Sequence, residues 1–231
     1  YKLILFAWPL IQLFLLIGSL ISICWFKHLT VVEAVILMLV QGMITGAVGI
    51  TFAHELMHQK TKLERFLADI LMAMAFYGHF RTEHVFVHHR YVGTKKDAVT
   101  ARFNESFYTF FIRVIPQCLI SAWSVEAQKL AKKNKSTYNL ANPFYTYTAL
   151  SSLCLLLSFI IGGRWGIALF LIQALVAILH LEVVNYIEHY GLSRKKISEN
   201  KYEPTKPHHS WNANHAASNL LLINLQKHSD H

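Results

Sequence analysis

Charged residues are scarce in this sequence. Asp, Glu, Lys and Arg make up 15% of its 231 residues, whereas a typical soluble domain contains about 25%. Disorder is also disfavoured, since it requires low hydrophobicity and high charge and 54% of this chain is hydrophobic. The composition therefore argues against both an ordinary water-soluble globule and a disordered chain.

Cysteine is scarce too. Cys24, Cys118 and Cys154 are far apart and lie in apolar stretches. No CxxC spacing occurs, so neither a zinc ribbon nor a disulfide framework is supported. We expect these cysteines to be small buried or lipid-facing hydrophobic residues.

The apolar residues form four long runs. About 20 apolar residues are enough for a helix to cross a bilayer, and the predicted spans are residues 3–25, 31–53, 144–161 and 166–187. Very short links join the first two and the last two, which predicts two helical hairpins. Residues 107–123 contain Arg113 and Pro116, so we expect that segment to be interfacial or packed on the bundle.

Basic residues give the predicted orientation. The chain has 22 Lys and Arg against 13 Asp and Glu, a formal net charge of +9. Thirteen of these basic residues lie in residues 54–142 and six in residues 188–231, whereas the hairpin tips hold Lys27 and Arg164. Cytoplasmic loops of membrane proteins are enriched in Lys and Arg. Both basic segments are therefore predicted to be cytoplasmic, and the charge requires no nucleic-acid partner.

Histidine, by contrast, is abundant, with 14 residues. Eight of them form four clusters that follow predicted spans or lie in cytoplasmic segments: His54 and His58; His84, His88 and His89; His189; His228 and His231. Histidines three or four residues apart share a helical face. The clusters can therefore converge on one site at the membrane surface.

Eight imidazoles indicate more than one metal ion. Imidazole binds iron, zinc, copper or nickel, and zinc is satisfied by four ligands or by three and a water. Eight imidazoles therefore favour two metal ions of higher coordination number than zinc. Iron is the natural choice if the site activates dioxygen. Clustered ionisable groups at a membrane mark function by default, whereas the isolated His28 and His180 are expected to be structural.

Polar neighbours of the clusters are expected to support the ligands. A metal-bound histidine usually donates its other N–H to a carboxylate or a carbonyl group. The residues predicted to surround the ligands are Glu55, Glu83, Glu188, Asp230, Asn185 and His215. Spacing leaves open which of the carboxylates contact metal. For His79, His208 and His209 we expect a supporting or structural role.

Two other classes of function fit part of the pattern. His54-Glu55-x-x-His58 is also the signature of zinc proteases, but the two further histidine clusters disfavour that interpretation. A metal-transport protein would need ligands along a pore through the spans. Seven of the eight histidines instead lie in cytoplasmic clusters, and His189 follows the end of a span.

The motifs resemble those of the integral-membrane alkane 1-monooxygenases, within the fatty-acid desaturase and hydroxylase superfamily. The family's HE-x-x-HK box resembles residues 54–60, its EH-x-x-GHH box residues 83–89, and its LQRHSDHH box residues 225–231. The NYIEHYGL block at residues 185–192 and the HSWN stretch at 209–212 separate alkane hydroxylases from desaturases. The resemblance covers essentially the whole chain.

The chain departs from the family pattern at several positions. Gln59 is inserted before the lysine of the first box, Val87 replaces the glycine of the second, and Lys227 replaces the arginine of the third. The family has six spans and one more histidine after the position of His231. The resemblance therefore implies that this single membrane-bound hydroxylase domain, residues 1–231, is a fragment.

The resemblance also implies a fold and a function. We expect an all-α integral-membrane bundle whose cytoplasmic helices carry a di-iron site, with the eight clustered histidines as ligands and no other catalytic residue. Two non-haem irons and dioxygen would hydroxylate the terminal methyl group of medium- or long-chain n-alkanes, with electrons from rubredoxin or ferredoxin and its NAD(P)H reductase. The enzyme would lie in the bacterial inner membrane with a cytoplasmic site. Related di-iron enzymes acting on xylene-type methyl groups or fatty acyl chains are the alternatives.

Overall fold

The computed structural model describes residues 2–199 and 201–212. That part of the chain is mostly helical. Its α-helices are α1 (Lys2–Ile21), α2 (Val31–Ile44), α3 (Thr51–Met57), α4 (Lys62–Met74), α5 (Phe80–Glu83), α6 (His89–Tyr91), α7 (Phe107–Ala131) and α8 (Phe144–His189). Wider π-helical turns occupy Ser22–Phe26, Thr45–Ile50 and His84–His88. A short antiparallel pair, β1 (Lys196–Ser198) and β2 (Lys201–Tyr202), and the 3₁₀ turn Pro207–His209 complete the described elements.

The chain divides into two compact units. The first contains Tyr1–Arg81 and Pro143–Leu181, and the second contains Thr82–Asn142 and Glu182–His231. The sequence prediction of one domain, residues 1–231, is neither confirmed nor contradicted by this division.

Four helical stretches of the described chain are long and apolar enough to cross a membrane: Lys2–Phe26, Val31–Met57, Phe107–Ala131 and Phe144–His189. The first two agree with the predicted spans. The last contains both remaining predicted spans, and Gly163 interrupts its helical geometry with φ 57° and ψ −141°. A Cβ atom on Gly166 would meet the backbone of Ser158, so the chain turns back at Gly163, as the predicted hairpin requires.

Helix α7 differs from the sequence prediction. Residues 107–123 were expected to be interfacial or packed on the bundle because of Arg113 and Pro116, whereas α7 is one 25-residue helix of sufficient length and apolar composition to span. The positive charge of Arg113 is compensated, because its Nε and Nη2 donate hydrogen bonds to the Glu105 carboxylate at 2.7 and 2.8 Å.

Glycines allow close helix packing in the first unit. A Cβ atom on Gly42 would lie 2.6 Å from the carbonyl oxygen of Gln173, and one on Gly46 would lie 2.8 Å from the His180 side chain. Helix α2 therefore packs directly on the second half of α8. Small residues serve this purpose at helix contacts in membranes.

The second unit has its own apolar core. Phe110, Val114 and Cys118 of α7 pack with Ala98, Val99 and Ala101 from the preceding loop. Tyr186 of α8 lies against this core and donates its hydroxyl hydrogen to the Glu105 carbonyl oxygen at 2.6 Å. The loop that follows the second histidine cluster is thereby held in place.

Candidate metal centre

In the first unit, two predicted ligands lie close together: His54 in α3 and His58 at the C-terminal cap of that helix. The ring centroids of His54 and His58 are 4.8 Å apart, and their ligand nitrogens lie within 4.8 Å of one another, so the pair could form part of a metal site. His54 is buried and His58 is exposed. The π-helical turn Thr45–Ile50 ends directly before α3, and such turns are frequent at functional sites.

In the second unit, a π-helical turn brings His84 and His89 together. Residues five apart face different sides of an α-helix, whereas a π-helix places them near one another, since its hydrogen bonds join i and i+5. The backbone N–H of His89 donates to the His84 carbonyl oxygen. Their Nε2 atoms are 3.0 Å apart, close enough to share a metal ion.

His88 and His189 complete the described histidine group of this unit. The ring centroid of His88 lies 5.3 Å from that of His84 and 4.8 Å from that of His189. His88 is 1% exposed and His189 is fully buried. Four predicted ligands, from two parts of the chain about a hundred residues apart in sequence, therefore lie side by side.

Asp97 orients His88, and the sequence reasoning missed it. Its Oδ2 lies 3.0 Å from His88 Nδ1 and accepts the Thr100 hydroxyl at 2.6 Å, while its Oδ1 accepts the Val99 amide at 3.2 Å. Burial opposes ionisation of Asp97, but His88 and the Thr100 hydroxyl outweigh this effect and hold the pKa of Asp97 below its usual range. An ionised Asp97 accepts the Nδ1–H of His88 and leaves Nε2 available to a metal.

Glu83 carries the least compensated carboxylate of the site. It is fully buried, and neither oxygen accepts a hydrogen bond from a described N–H or O–H group. Burial first, and then the charges of Asp97 and Glu182, raise the pKa of Glu83 well above its usual range. Since buried carboxylates are normally paired or coordinate metals, this arrangement fits a cation held beside Glu83.

The other predicted supporting residues have different contacts. Glu55 accepts a hydrogen bond from Gln59 Nε2 at 2.9 Å. Asn185 donates from Nδ2 to Glu182 Oε2 at 3.1 Å, which adds Glu182 to the buried carboxylates. Glu188 is buried, and its backbone carbonyl oxygen accepts hydrogen bonds from the segment that follows α8.

The remaining predictions divide into two groups. His215, His228, Asp230 and His231 lie outside the described residues. Among the described histidines, His79 is packed against Tyr77, and burial lowers its pKa to about 4. His209 is buried, with its Nε2 3.4 Å from Glu203 Oε1, and the His208 ring lies against it, tilted by 59°.

The donor set is therefore one that transition metals accept. Imidazole nitrogens dominate, and carboxylates orient or accompany them. Fold and site together define a helical membrane protein with histidine clusters fitted to bind metal.

Comparison with known proteins places the chain in a family. Residues 29–231 match the fatty acid desaturase family, and the chain belongs to it. This result confirms the superfamily predicted from the histidine motifs.

Curated relatives indicate which enzymes of this family the chain resembles. The chain is 44% identical over 191 residues to alkane 1-monooxygenase 1 of Pseudomonas aeruginosa, covering 82% of this chain and 50% of that protein. It is 39% identical over 217 residues to alkane 1-monooxygenase 1 of Alcanivorax borkumensis, covering 93% and 54%. A more distant relative, at 32% over 191 residues (81% and 50%), is the xylene/toluene monooxygenase hydroxylase component XylM of Pseudomonas putida. The chain thus spans about half the length of these relatives.

Proposed function

We propose that the chain carries the catalytic part of a non-haem di-iron monooxygenase that converts the terminal methyl group of medium- or long-chain n-alkanes into a primary alcohol. The observation that carries this proposal is the group of His84, His88, His89 and His189, in which His89 is partly exposed and the other three are buried, with the buried Asp97 and Glu83 beside it. The alkane 1-monooxygenases to which the chain is related supply the reaction class.

The proposed iron ligands are His54, His58, His84, His88, His89, His189, His228 and His231. Two pairs support this set, since the ligand nitrogens of His54 and His58, and those of His84 and His89, are each spaced for a shared site. Bound iron would supply the redox chemistry that activates dioxygen against an unactivated C–H bond.

The chain's own residues would then prepare the site. Asp97 fixes the ring orientation of His88 through Nδ1. The buried Glu83 and Glu182 offer negative charge to a cation. Burial of His88 and His189 keeps water from their rings, so electrostatic interactions there are stronger than in bulk solvent.

The location suits an apolar substrate. Alkanes dissolve in the bilayer, and four described helices are long and apolar enough to cross it. We propose that the protein lies in the bacterial inner membrane with the site on its cytoplasmic side, because residues 54–142 carry thirteen of the 22 Lys and Arg.

Electrons are proposed to come from rubredoxin or ferredoxin with its NAD(P)H reductase. Basic side chains beside the second histidine cluster offer a docking surface, since the Arg90 guanidinium and the Lys96 ammonium lie 5.1 and 5.6 Å from the Tyr91 ring centroid. Lys95 is exposed beside them. Positive charge of this kind attracts acidic partners.

The reaction is tested by product analysis. The protein, expressed with rubredoxin and its reductase, is supplied with n-alkanes of graded length and with p-xylene. We expect primary alcohols from alkanes. Product from p-xylene alone would favour the second candidate, a xylene-type methyl hydroxylase. The relationship to the xylene/toluene monooxygenase hydroxylase component supports that candidate.

A further inference from the structure

The segment after α8 holds the ends of two helices that carry predicted ligands. We call four of its residues the clamp: Arg194, Glu203, His209 and Trp211. They belong to the second unit, as do His88, His89 and His189. Carbonyl groups in the last turn of a helix have no partner within the helix. The clamp supplies donors to such groups at both helix ends.

Arg194 binds the chain directly after the second histidine cluster. Its Nη1 donates to the carbonyl oxygens of Arg90 and Val92 at 3.1 and 3.3 Å, and its backbone N–H donates to that of Gly93 at 2.7 Å. These acceptors follow His89 by one to four residues. One guanidinium thus fixes the end of α6.

Trp211 binds the end of α8. Its backbone N–H donates to the Glu188 carbonyl oxygen at 2.8 Å, and its indole Nε1 donates to that of Tyr190 at 3.0 Å. The Ser210 hydroxyl also reaches the Glu188 carbonyl, at 3.4 Å. The two residues that flank His189 are therefore both held from the same side.

Glu203 and His209 connect these two attachments. The backbone carbonyl oxygen of Glu203 accepts a hydrogen bond from Arg194 Nε at 2.8 Å. The Glu203 carboxylate accepts a hydrogen bond from the Lys195 backbone N–H at 2.8 Å and lies 3.4 Å from His209 Nε2. His209 is 2% exposed, and its Nδ1 accepts the Lys206 amide at 2.9 Å.

We propose that Arg194, Glu203, His209 and Trp211 are positioning residues that fix the helix end bearing His189 relative to the helix end bearing His88 and His89. The inference rests on the proposed metal centre. Helix ends fray when their carbonyl groups lack partners. Hydrogen bonds join Arg90 to Arg194 and Arg194 to Glu203, the Glu203 carboxylate faces His209, and the backbone continues from His209 to Trp211, which binds Glu188 and Tyr190. These linked contacts restrict that freedom and preorganise the imidazoles before a metal binds.

The test compares conservative variants that each weaken one part of the clamp. Arg194→Lys keeps the charge but loses the guanidinium fork. Glu203→Gln keeps the size but loses the negative charge that faces His209. Trp211→Phe keeps an aromatic ring but loses the indole donor. Lys206→Ala is the control, because its exposed side chain lies 4.0 Å from Glu203 and its backbone N–H is retained. The proteins are titrated in lipid nanodiscs with Co(II), whose visible spectrum reports ligand geometry.

The clamp variants should bind Co(II) about 10- to 100-fold more weakly than the unaltered protein, the usual effect of removing residues that orient metal ligands. Their Co(II) spectra should also change, while Lys206→Ala matches the unaltered protein in both. Clamp variants with unaltered Co(II) affinity and spectrum would overturn the proposal.

Hydrogen exchange in metal-free protein separates failure of the clamp from failure of the metal centre. The amides of Gly191 and Leu192 bond to the Ala101 and His189 carbonyl oxygens, and we expect them to exchange at least about tenfold faster in the clamp variants. Unchanged exchange would contradict the clamp. An unaltered protein that binds no Co(II), with faster exchange in the variants, would refute the metal centre and retain the clamp.

Discussion

Asp97 shows how a single loop carboxylate can determine which ring nitrogen of a histidine is available to a metal. It accepts from Thr100 and Val99 and faces His88 Nδ1, so its own position is fixed by three partners. The Thr100 hydroxyl oxygen accepts the Gly93 amide at 2.9 Å, which ties the loop back to the histidine cluster. Asp97 is therefore a positioning residue in the proposed centre.

Replacing Asp97 by Asn removes the charge that holds the His88 proton. We expect iron or Co(II) affinity to fall about 10- to 100-fold. Metal titration of the purified protein measures this effect. Asp69→Asn is the matched control, because Asp69 is a buried aspartate bound by Arg81 Nε and Nη2 at 2.6 and 3.1 Å; it should lower stability and leave metal affinity unchanged. Equal metal affinities in the two variants would contradict the role given to Asp97.

Adjacency in sequence to a predicted histidine ligand identified only some of the residues that surround the ligands. It identified Glu83, which is fully buried next to His84. It did not identify Asp97, because Asp97 follows His88 by nine residues in a loop and no helical spacing relates the two. Glu55 bonds to Gln59 and Asn185 to Glu182, and these contacts depend on rotamers and neighbouring helices that spacing alone does not specify.

The Glu105–Arg113 pair gives a pH prediction. The hydrogen bonds from Arg113, which outweigh the effect of burial, lower the pKa of Glu105. The pair therefore stabilises the fold above the unfolded pKa of about 4.3, and this stabilisation is lost as pH falls through the lower folded pKa.

Glu105→Gln should consequently lower the melting temperature at neutral pH. The difference from the unaltered protein should shrink as pH falls from about 7 to about 3. Thermal unfolding in detergent across that range measures it. A difference that stays constant with pH would show that the ion pair is not its source.

At the scale of elements, the turn at Gly163 sets the course of α8. Its φ of 57° and ψ of −141° lie in a region that is essentially restricted to glycine. A Cβ atom there would meet nothing within 4 Å, so substitution tests the backbone conformation separately from packing.

Gly163→Ala should destabilise the protein by about 1–3 kcal/mol. Gly18→Ala is the control, because Gly18 lies in α1 with equally open space around it and alanine favours a helix interior by about 1 kcal/mol. Denaturant or thermal unfolding in the same detergent compares them. Similar effects of both substitutions would exclude backbone strain at Gly163 as the cause.

Apolar run length and composition predicted most of the helical architecture. Residues 3–25 and 31–53 agree with helical spans of the structure, and the predicted hairpin of residues 144–187 has its turn at Gly163. The extent of α7 was missed because Arg113 counted against a span, although Glu105 neutralises it. The π-helical turn His84–His88 was not predictable, because the sequence pattern fits α-helical spacing equally well.

At the scale of the whole molecule, the net charge of +9 bears on docking of the proposed electron donor as well as on the proposed topology. Reversing Arg90, Lys95 and Lys96 to Glu should slow electron transfer from reduced rubredoxin at low salt and weaken its dependence on ionic strength, because electrostatic steering is screened by salt. Stopped-flow kinetics measures the rate. Lys133→Glu with Lys135→Glu, which changes exposed charges elsewhere, is the control. An unchanged salt dependence in the triple variant would refute docking at this surface.

The metal content of the purified protein tests the central claim most directly. Imidazole-rich sites accept several transition metals, so the identity of the metal and its ratio to protein distinguish the proposed di-iron centre from a zinc protease site. Elemental analysis of the full-length protein expressed with iron should give about two irons per chain, the number proposed from the histidine ligands. One zinc per chain without iron would contradict the account.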